Sequence, residues 1–219
     1  MPEVLAIIPA RTGSKGIPGK NFKSLVGASP VERAAQCALA CGLHTVITTD
    51  MPGLVVGGCY TLHAEAPLHT DTCPMIDVIM DVVTRIPGPP DQMIVLVQPT
   101  QPLRRPEHLR AAIELLESTG ADSVVSVIEL PLDLSPDFLG IVTNGRLRPW
   151  NGENWPTRRQ ACTPAVKRDG TVYTFRRRNL WNADSFYGND VRALVIPPEE
   201  TCPLDTRADW AEAERRLSL

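Results

Sequence analysis

The chain has 219 residues, 43% hydrophobic and 21% charged, enough to bury a core for one large domain or a domain with a small lobe. A formal charge of -3 leaves no global basic footprint and argues against a nucleic-acid partner. No stretch approaches ~18 apolar residues, so no membrane-spanning helix is expected, and the apolar start from Met1 to Pro9 lacks the basic leader of a signal peptide.

Val4 to Ile8 is a continuous apolar run, the pattern of a strand buried on both faces. A loop rich in Gly, Pro and Lys follows from Arg11 to Asn21. Pro30 to Cys41 carries Ala, Val and Leu at helical spacing, with Gly42 as a stop signal. Thr45 to Thr49 is a second strand ending at Asp50. Met75 to Arg85 reads as a helix, Met93 to Val97 as a buried strand, Pro106 to Ser118 as a helix closed by Gly120, and Ser123 to Ile128 as a strand. Alternation of this kind predicts an α/β fold, a mostly parallel central sheet with helices on both faces.

The pattern changes after Leu130, where Pro, Asp, Asn and Gly become frequent up to Asn154. Ile141 to Leu147 reads as a β-hairpin turning at Asn144-Gly145. Thr171 to Phe175 and Ala193 to Ile196 are further strands. Asp205 to Leu217 is a closing helix capped by Thr206 or Asp205, with Trp210, Ala213 and Leu217 on one face. The six cysteines (Cys37, Cys41, Cys59, Cys73, Cys162 and Cys202) form no CxxC and no zinc-like spacing with His. They read as small buried thiols in a reducing compartment, which makes the cytoplasm the expected location.

The segment with the most chemistry is Pro9 to Asn21. It follows a buried strand directly, and in open parallel sheets ligands bind beyond the carboxyl ends of the strands. Gly13, Gly16 and Gly19 let backbone approach a ligand, and Arg11, Lys15 and Lys20 add three positive charges. The order is neither GxxxxGK[ST] nor GxGxxG, so this is neither a P-loop nor a dinucleotide fingerprint. Three cations with three glycines suit a triphosphate.

This run, Ile8-Pro9-Ala10-Arg11-Thr12-Gly13-Ser14-Lys15-Gly16-Ile17-Pro18-Gly19-Lys20-Asn21, resembles the IPARxGSKGIPxKN signature of the acylneuraminate cytidylyltransferase family. Other segments match that family in order. Thr48-Thr49-Asp50 is similar to its STD, Leu68 to Thr72 to its LAxDT, and Val97 to Arg104 to its LQPTSPLR. Arg159-Gln160 is similar to its RQ, Asp169 to Tyr173 to its NGAIY, and Leu204-Asp205-Thr206 to its DIDT ending.

The resemblance implies a single nucleotidyltransferase domain over residues 1–219, with a small dimerisation and acceptor element around 130–170 and a homodimer as the assembly. It implies transfer of CMP from CTP to a small acidic acceptor, with Mg²⁺ as cofactor. Ala10, Arg11, Gly13, Ser14, Lys15, Gly16, Lys20, Asn21 and Asp71 would bind nucleotide. Gln98, Thr100, Arg104, Arg159, Gln160 and Lys167 would meet the acceptor. Arg11, Lys15, Lys20 and Asp205 would carry catalysis, with Asp205 on the metal.

Two positions depart from the family. Pro203 stands where the first of two metal carboxylates is found, leaving Asp205 alone with Asp50 and Asp71 in reserve. Ala64 stands where an Arg contacts the base, so either His63 substitutes or backbone reads the base. The cations of the second half divide in two: Arg176 to Arg178 read as a solvated face, whereas Arg158, Arg159 and Lys167 flank the acceptor segment, where guanidinium suits carboxylate or phosphonate. A sialic-acid-like nonulosonic acid is the expected acceptor, and a phosphonate or phosphonocarboxylate is the alternative. A nucleotide-binding protein that has lost its chemistry is the reading from another class.

Overall fold

A computed structural model describes residues 4–152, 155, 158, 162–182 and 185–219. In chain order these give β1 (Leu5–Pro9), α1 (Pro30–Leu39), β2 (His44–Thr49), β3 (Tyr60–His63), α2 (Met75–Arg85), β4 (Met93–Leu96) and α3 (Pro106–Thr119). They continue with β5 (Ser123–Glu129), β6 (Gly140–Thr143), β7 (Arg146–Pro149), β8 (Val166–Arg176), α4 (Asn179–Asn182), β9 (Val191–Val195) and α5 (Arg207–Leu217). Seven strands form one sheet in the order β3-β2-β1-β4-β8-β5-β9, and β6 and β7 form a separate ribbon. β8 runs antiparallel to both its neighbours, and the other pairings in the large sheet are parallel.

Both faces of the sheet are covered at β1, β2 and β4, as the apolar runs require. Ala6 and Ile8 of β1 pack with α1 and α3, through Ala34, Ala38, Leu109 and Leu116. Leu5 and Ile7, which point the other way, pack with Ile79, Val82 and Val83 of α2. A third cluster joins Ile17 of the glycine loop to Leu25, Leu204, Trp210 and Ala213. That cluster seats α5 beneath the loop and carries the segment before α5 to the sheet's carboxyl edge.

The expected elements are present; the differences are the unanticipated β3 and one-turn α4, and the bounds of β8 and of α5, which starts at Arg207. β3 was not anticipated: four residues at the sheet edge, with only Leu62 buried, carry too little periodicity. β8 is longer than expected because its first three residues, Val166 to Arg168, pair along β5 while exposed. Opposite them β5 bulges between Val125 and Val127, and the hydroxyl of Ser126 there accepts from Val172 N–H at 2.9 Å, which accounts for a serine at 0% exposure in a buried strand. Thr206, not Asp205, is the N-cap of α5. The β6–β7 turn has Asn144 at φ 52° and Gly145 at φ 73°, the two left-handed residues that a tight hairpin needs.

Arg176 to Arg178 do not form a solvated face. Arg177 is 2% exposed and donates to Gln92 Oε1, Val83 O and Ile86 O, each at 2.9 Å, joining β8 to the end of α2. Its stem reaches inward because β8 lies inside the sheet, a position that the local charge run does not reveal. All six cysteines are free, and burial pushes the Cys37 thiol up to about 12, so it is inert. Among the described residues no helix is long and apolar enough to cross a membrane.

α1 begins with a capping box: Ser29 N–H donates to Glu32 Oε2 at 2.7 Å, and Glu32 N–H donates to Ser29 Oγ at 3.4 Å. Val31 N–H also donates to Asn21 O, so the helix start is tied to the end of the glycine loop. Ser29→Ala is expected to cost about 1 kcal/mol. For a chain of this size that lowers the melting temperature by about 2–4 °C, readable by thermal circular dichroism. An unchanged melting temperature would show that the cap contributes nothing.

Candidate active site

A cleft of ≈ 440 Å³ opens at the carboxyl ends of β1, β2 and β4, walled on one side by the glycine loop and on the other by the start of α2. Of the expected nucleotide-binding residues, Ala10, Arg11, Ser14, Lys15, Gly16, Lys20, Asn21 and Asp71 line it; Gly13 does not. From the expected acceptor set Gln98 and Thr100 line it, and so does Asp205.

The loop's shape is set by contacts distant in sequence. Thr12 donates through N–H and Oγ1 to the two oxygens of Asp50 at 2.7 and 2.6 Å, so the carboxylate at the end of β2 anchors the loop's entrance. Burial raises the Asp50 pKa, but the Thr12 bonds outweigh it and hold the carboxyl below its ordinary value. Asn21 donates from Nδ2 to Arg11 O at 2.9 Å and closes the loop on itself. Gly16 lies against the segment before α5, where a Cβ would sit 2.2 Å from Asp205 O. Only glycine permits that approach.

The cations divide between two carboxylates. Lys15 meets Asp71 at 2.8 Å and Arg11 ion-pairs with the same group, and these two hold Asp71 below the ordinary carboxylate range. Lys20, largely buried, donates to Leu204 O at 2.5 Å and stands 3.5 Å from Asp205 Oδ1. Asp205 itself is 74% exposed, and its carboxylate has a looser partner than that of Asp71. Thr100 O accepts from Leu204 N–H, so the loop after β4 fixes where Asp205 stands. Gln101 braces the same segment: its Oε1 accepts from Thr201 Oγ1 at 3.0 Å and Cys202 N–H at 3.2 Å, while its Nε2 donates to Asp169 O.

Two expected acceptor residues lie elsewhere. Arg104 is 8% exposed and donates to Thr171 O and Gln98 O, each at 2.5 Å. Burial pulls it down to about 10, so it stays charged at neutral pH, but it reaches the cleft only through the backbone of Gln98. Lys167 is exposed on β8, opposite Ile128, and off the cleft wall. Arg159 and Gln160 lie outside the described residues. His63 is exposed at the sheet edge and does not line the cleft, although Ala64 does.

Thr48, His69, Asp50 and Gln101 are residues the sequence did not single out for the roles their contacts give them. The first two line the cleft, and each presents a buried polar atom without a partner among the described residues, Thr48 Oγ1 and His69 Nδ1. Asn21 Oδ1 is a third such atom in the cleft. A second hollow of ≈ 310 Å³ lies on the open sheet face between Val125, Val127, Val191 and Ala193, bordered by Arg168 and Tyr187, which bond to each other at 2.5 Å. Among the described residues, no group of three His, Cys, Asp or Glu side chains is placed to hold a metal ion.

The family model for cytidylyltransferases matches residues 5–132. A CMP-N,N'-diacetyllegionaminic acid synthase from Legionella pneumophila is 31% identical, over 99% of this chain and 97% of that protein. N-acylneuraminate cytidylyltransferases are similar too: one from Streptococcus agalactiae is 27% identical over 94% of this chain, and one from Danio rerio 27% identical over 98%. The chain spans about half the length of those two, 51% and 50% respectively. A solved structure of CMP:2-keto-3-deoxy-manno-octonic acid synthetase complexed with CTP has a TM-score of 0.73, covering 99% of this chain and 98% of that one at 18% identity, which is a likeness of fold.

Proposed function

The chain belongs to the cytidylyltransferase family, and on that premise we propose that it transfers CMP from CTP to a nonulosonic acid of the sialic-acid type. The observation that carries this reading is the convergence of Arg11, Lys15, Lys20 and Asp205 on one cleft at the sheet's carboxyl edge. The near-full-length relative, a CMP-N,N'-diacetyllegionaminic acid synthase, supports the acceptor class.

In the proposed reaction a hydroxyl oxygen of the acceptor attacks the α-phosphorus of CTP. The bond from that oxygen to the α-phosphorus forms, the bond from the α-phosphorus to the oxygen bridging it to the β-phosphate breaks, pyrophosphate leaves with that oxygen, and the hydroxyl proton passes to solvent. Such displacement depends on positioning and charge neutralisation more than on covalent chemistry. Lys20, fixed by Leu204 O, is a preorganised cation at the phosphates. Arg11 and Lys15 exchange Asp71 for phosphate oxygens as nucleotide enters, so binding replaces one anion by another.

Asp205 fits a divalent cation of the Mg²⁺ type. Among the described residues its exposed carboxylate has one partner, at 3.5 Å, and such an ion takes one or two carboxylates with phosphate oxygens and waters rather than a protein cage. Bound there, Mg²⁺ would neutralise charge on the phosphates. The acceptor end is proposed at Gln98 and Thr100, near the start of β8, because Gly170 packs by Gln98 Oε1 and the exposed Lys167 and Arg168 are close in sequence. Self-association through the β6–β7 ribbon belongs to the same proposal, since Val142 and Leu147 are exposed there at 68% and 63%.

The test is pyrophosphate release with one acceptor and four nucleotides, then with CTP and a panel of acceptors. CTP is expected to exceed ATP, GTP and UTP, and N-acetylneuraminic or diacetyllegionaminic acid to be turned over. Turnover of a phosphonocarboxylate alone would overturn the acceptor, and comparable turnover with GTP would overturn the nucleotide. Tight CTP binding with no pyrophosphate from any acid would favour a protein that only binds.

A further inference from the structure

The cleft lining carries two kinds of group: the cations Arg11, Lys15 and Lys20, and the apolar side chains Ala64, Leu68, Met75 and Val78. A nucleoside triphosphate has the same two parts, charged phosphates and a flat base. Among the described residues four buried side-chain atoms have no hydrogen-bond partner, and three of them line this cleft. Orphaned polar atoms are costly in a folded protein, so their concentration in one cleft marks groups that a ligand completes.

We infer that Thr48 and His69 read the polar edge of the nucleobase. This rests on the nucleotide reading proposed above and deepens it. Thr48 stands at the end of β2, two residues after Val46, so its side chain shares the face that packs against α2. It is 2% exposed, and its hydroxyl can both donate and accept. Its carbonyl accepts from Ala10 N–H at 2.9 Å, while Thr49 O accepts from Ala64 N–H at 2.7 Å. Those bonds pin Thr48 between the phosphate loop and the apolar wall. His69 follows Leu68 on that wall, and its Nδ1 donates or accepts according to tautomer. Two such atoms within an apolar slot suit a base whose edge carries an amino donor beside ring and carbonyl acceptors.

The experiment is titration calorimetry of the full chain with CTP, UTP and inorganic tripolyphosphate. The variants are Thr48→Val, His69→Leu and His69→Asn. Thr48→Val keeps the shape and removes only the orphan hydroxyl, so its melting temperature should hold or rise while CTP affinity falls about tenfold. His69→Leu should weaken CTP about tenfold and narrow the preference over UTP. His69→Asn, whose amide lies near the Nδ1 position, should recover most of both. Tripolyphosphate affinity should be unchanged throughout. If Thr48→Val and His69→Leu bind CTP as tightly as the unmodified protein, with the same preference over UTP, the inference is wrong and CTP binding stands. If tripolyphosphate weakens in parallel with CTP, the two residues shape the cleft rather than read the base. An unmodified protein that binds tripolyphosphate but not CTP would instead defeat the nucleotide reading itself.

Discussion

Replacing Asp205 by Asn is expected to leave a folded protein whose turnover is lower by about a hundredfold or more, equivalent to about 2.7 kcal/mol of transition-state stabilisation. The fold should survive because Asp205 is not the cap of α5. Thr206 accepts from Asp209 N–H in that role, and Asp205 contributes only its backbone N–H, donated to Asp209 Oδ2 at 3.1 Å. Its carboxylate is 74% exposed and its pairing with Lys20 is loose, so the lost ion pair is worth at most about 1 kcal/mol to stability. Turnover should suffer because the other carboxylate lining the cleft, Asp71, stands beside two cations, Arg11 and Lys15, whose charge disfavours a divalent ion there. On the proposed reading, Asp205 is the acidic group available to a divalent cation at the phosphates, so the Mg²⁺ concentration for half-maximal rate should rise as well. Steady-state pyrophosphate release across a Mg²⁺ series, with a melting curve of each protein, reads both effects. Retention of most activity at ordinary Mg²⁺ would remove Asp205 from the proposal and turn attention to Asp71.

Gly16→Ala should be at least as damaging, for a steric reason. The added Cβ would sit 2.2 Å from Asp205 O, and both sides of that contact are backbone. Neither side yields easily. The Asp205 segment is tied to Thr100 through Leu204 N–H, and the loop is seated by Ile17 in the cluster with Trp210. Relieving the clash moves the loop cations and Asp205 apart by roughly an ångström, a displacement that costs about a hundredfold when positioning is the source of the rate. Strain of this kind also costs about 1–3 kcal/mol of stability. Gly13→Ala is the control: a Cβ there meets nothing within 4 Å, and Gly13 is not at positive φ. It should behave nearly as the unmodified protein. If the two alanine variants have similar activity and melting temperature, the close approach is not what makes Gly16 necessary.

Much of this was legible in the sequence because it is local. Apolar runs at Val4 to Ile8 and Met93 to Val97 specify strands buried on both faces, and helical spacing at Met75 to Arg85 specifies α2 with the bounds observed. The Asn144-Gly145 turn and the cationic glycine loop are likewise complete within a few residues. What the tertiary structure alone decided depends on which distant segments the sheet order brings together. Arg104 and Arg177 read as cations free for a ligand or solvent, yet both are buried and spend their donors on carbonyls and an amide oxygen far along the chain. The edge strand β3 has no periodicity to announce it, and β8 is antiparallel only because of where the chain returns. Gly16 needs to be glycine because of Asp205, and Thr48 and His69 stand out because, among the described residues, nothing reaches Thr48 Oγ1 and His69 Nδ1. A sequence states which groups each residue carries, whereas whether a donor or acceptor has found its partner is known only when the whole chain is packed.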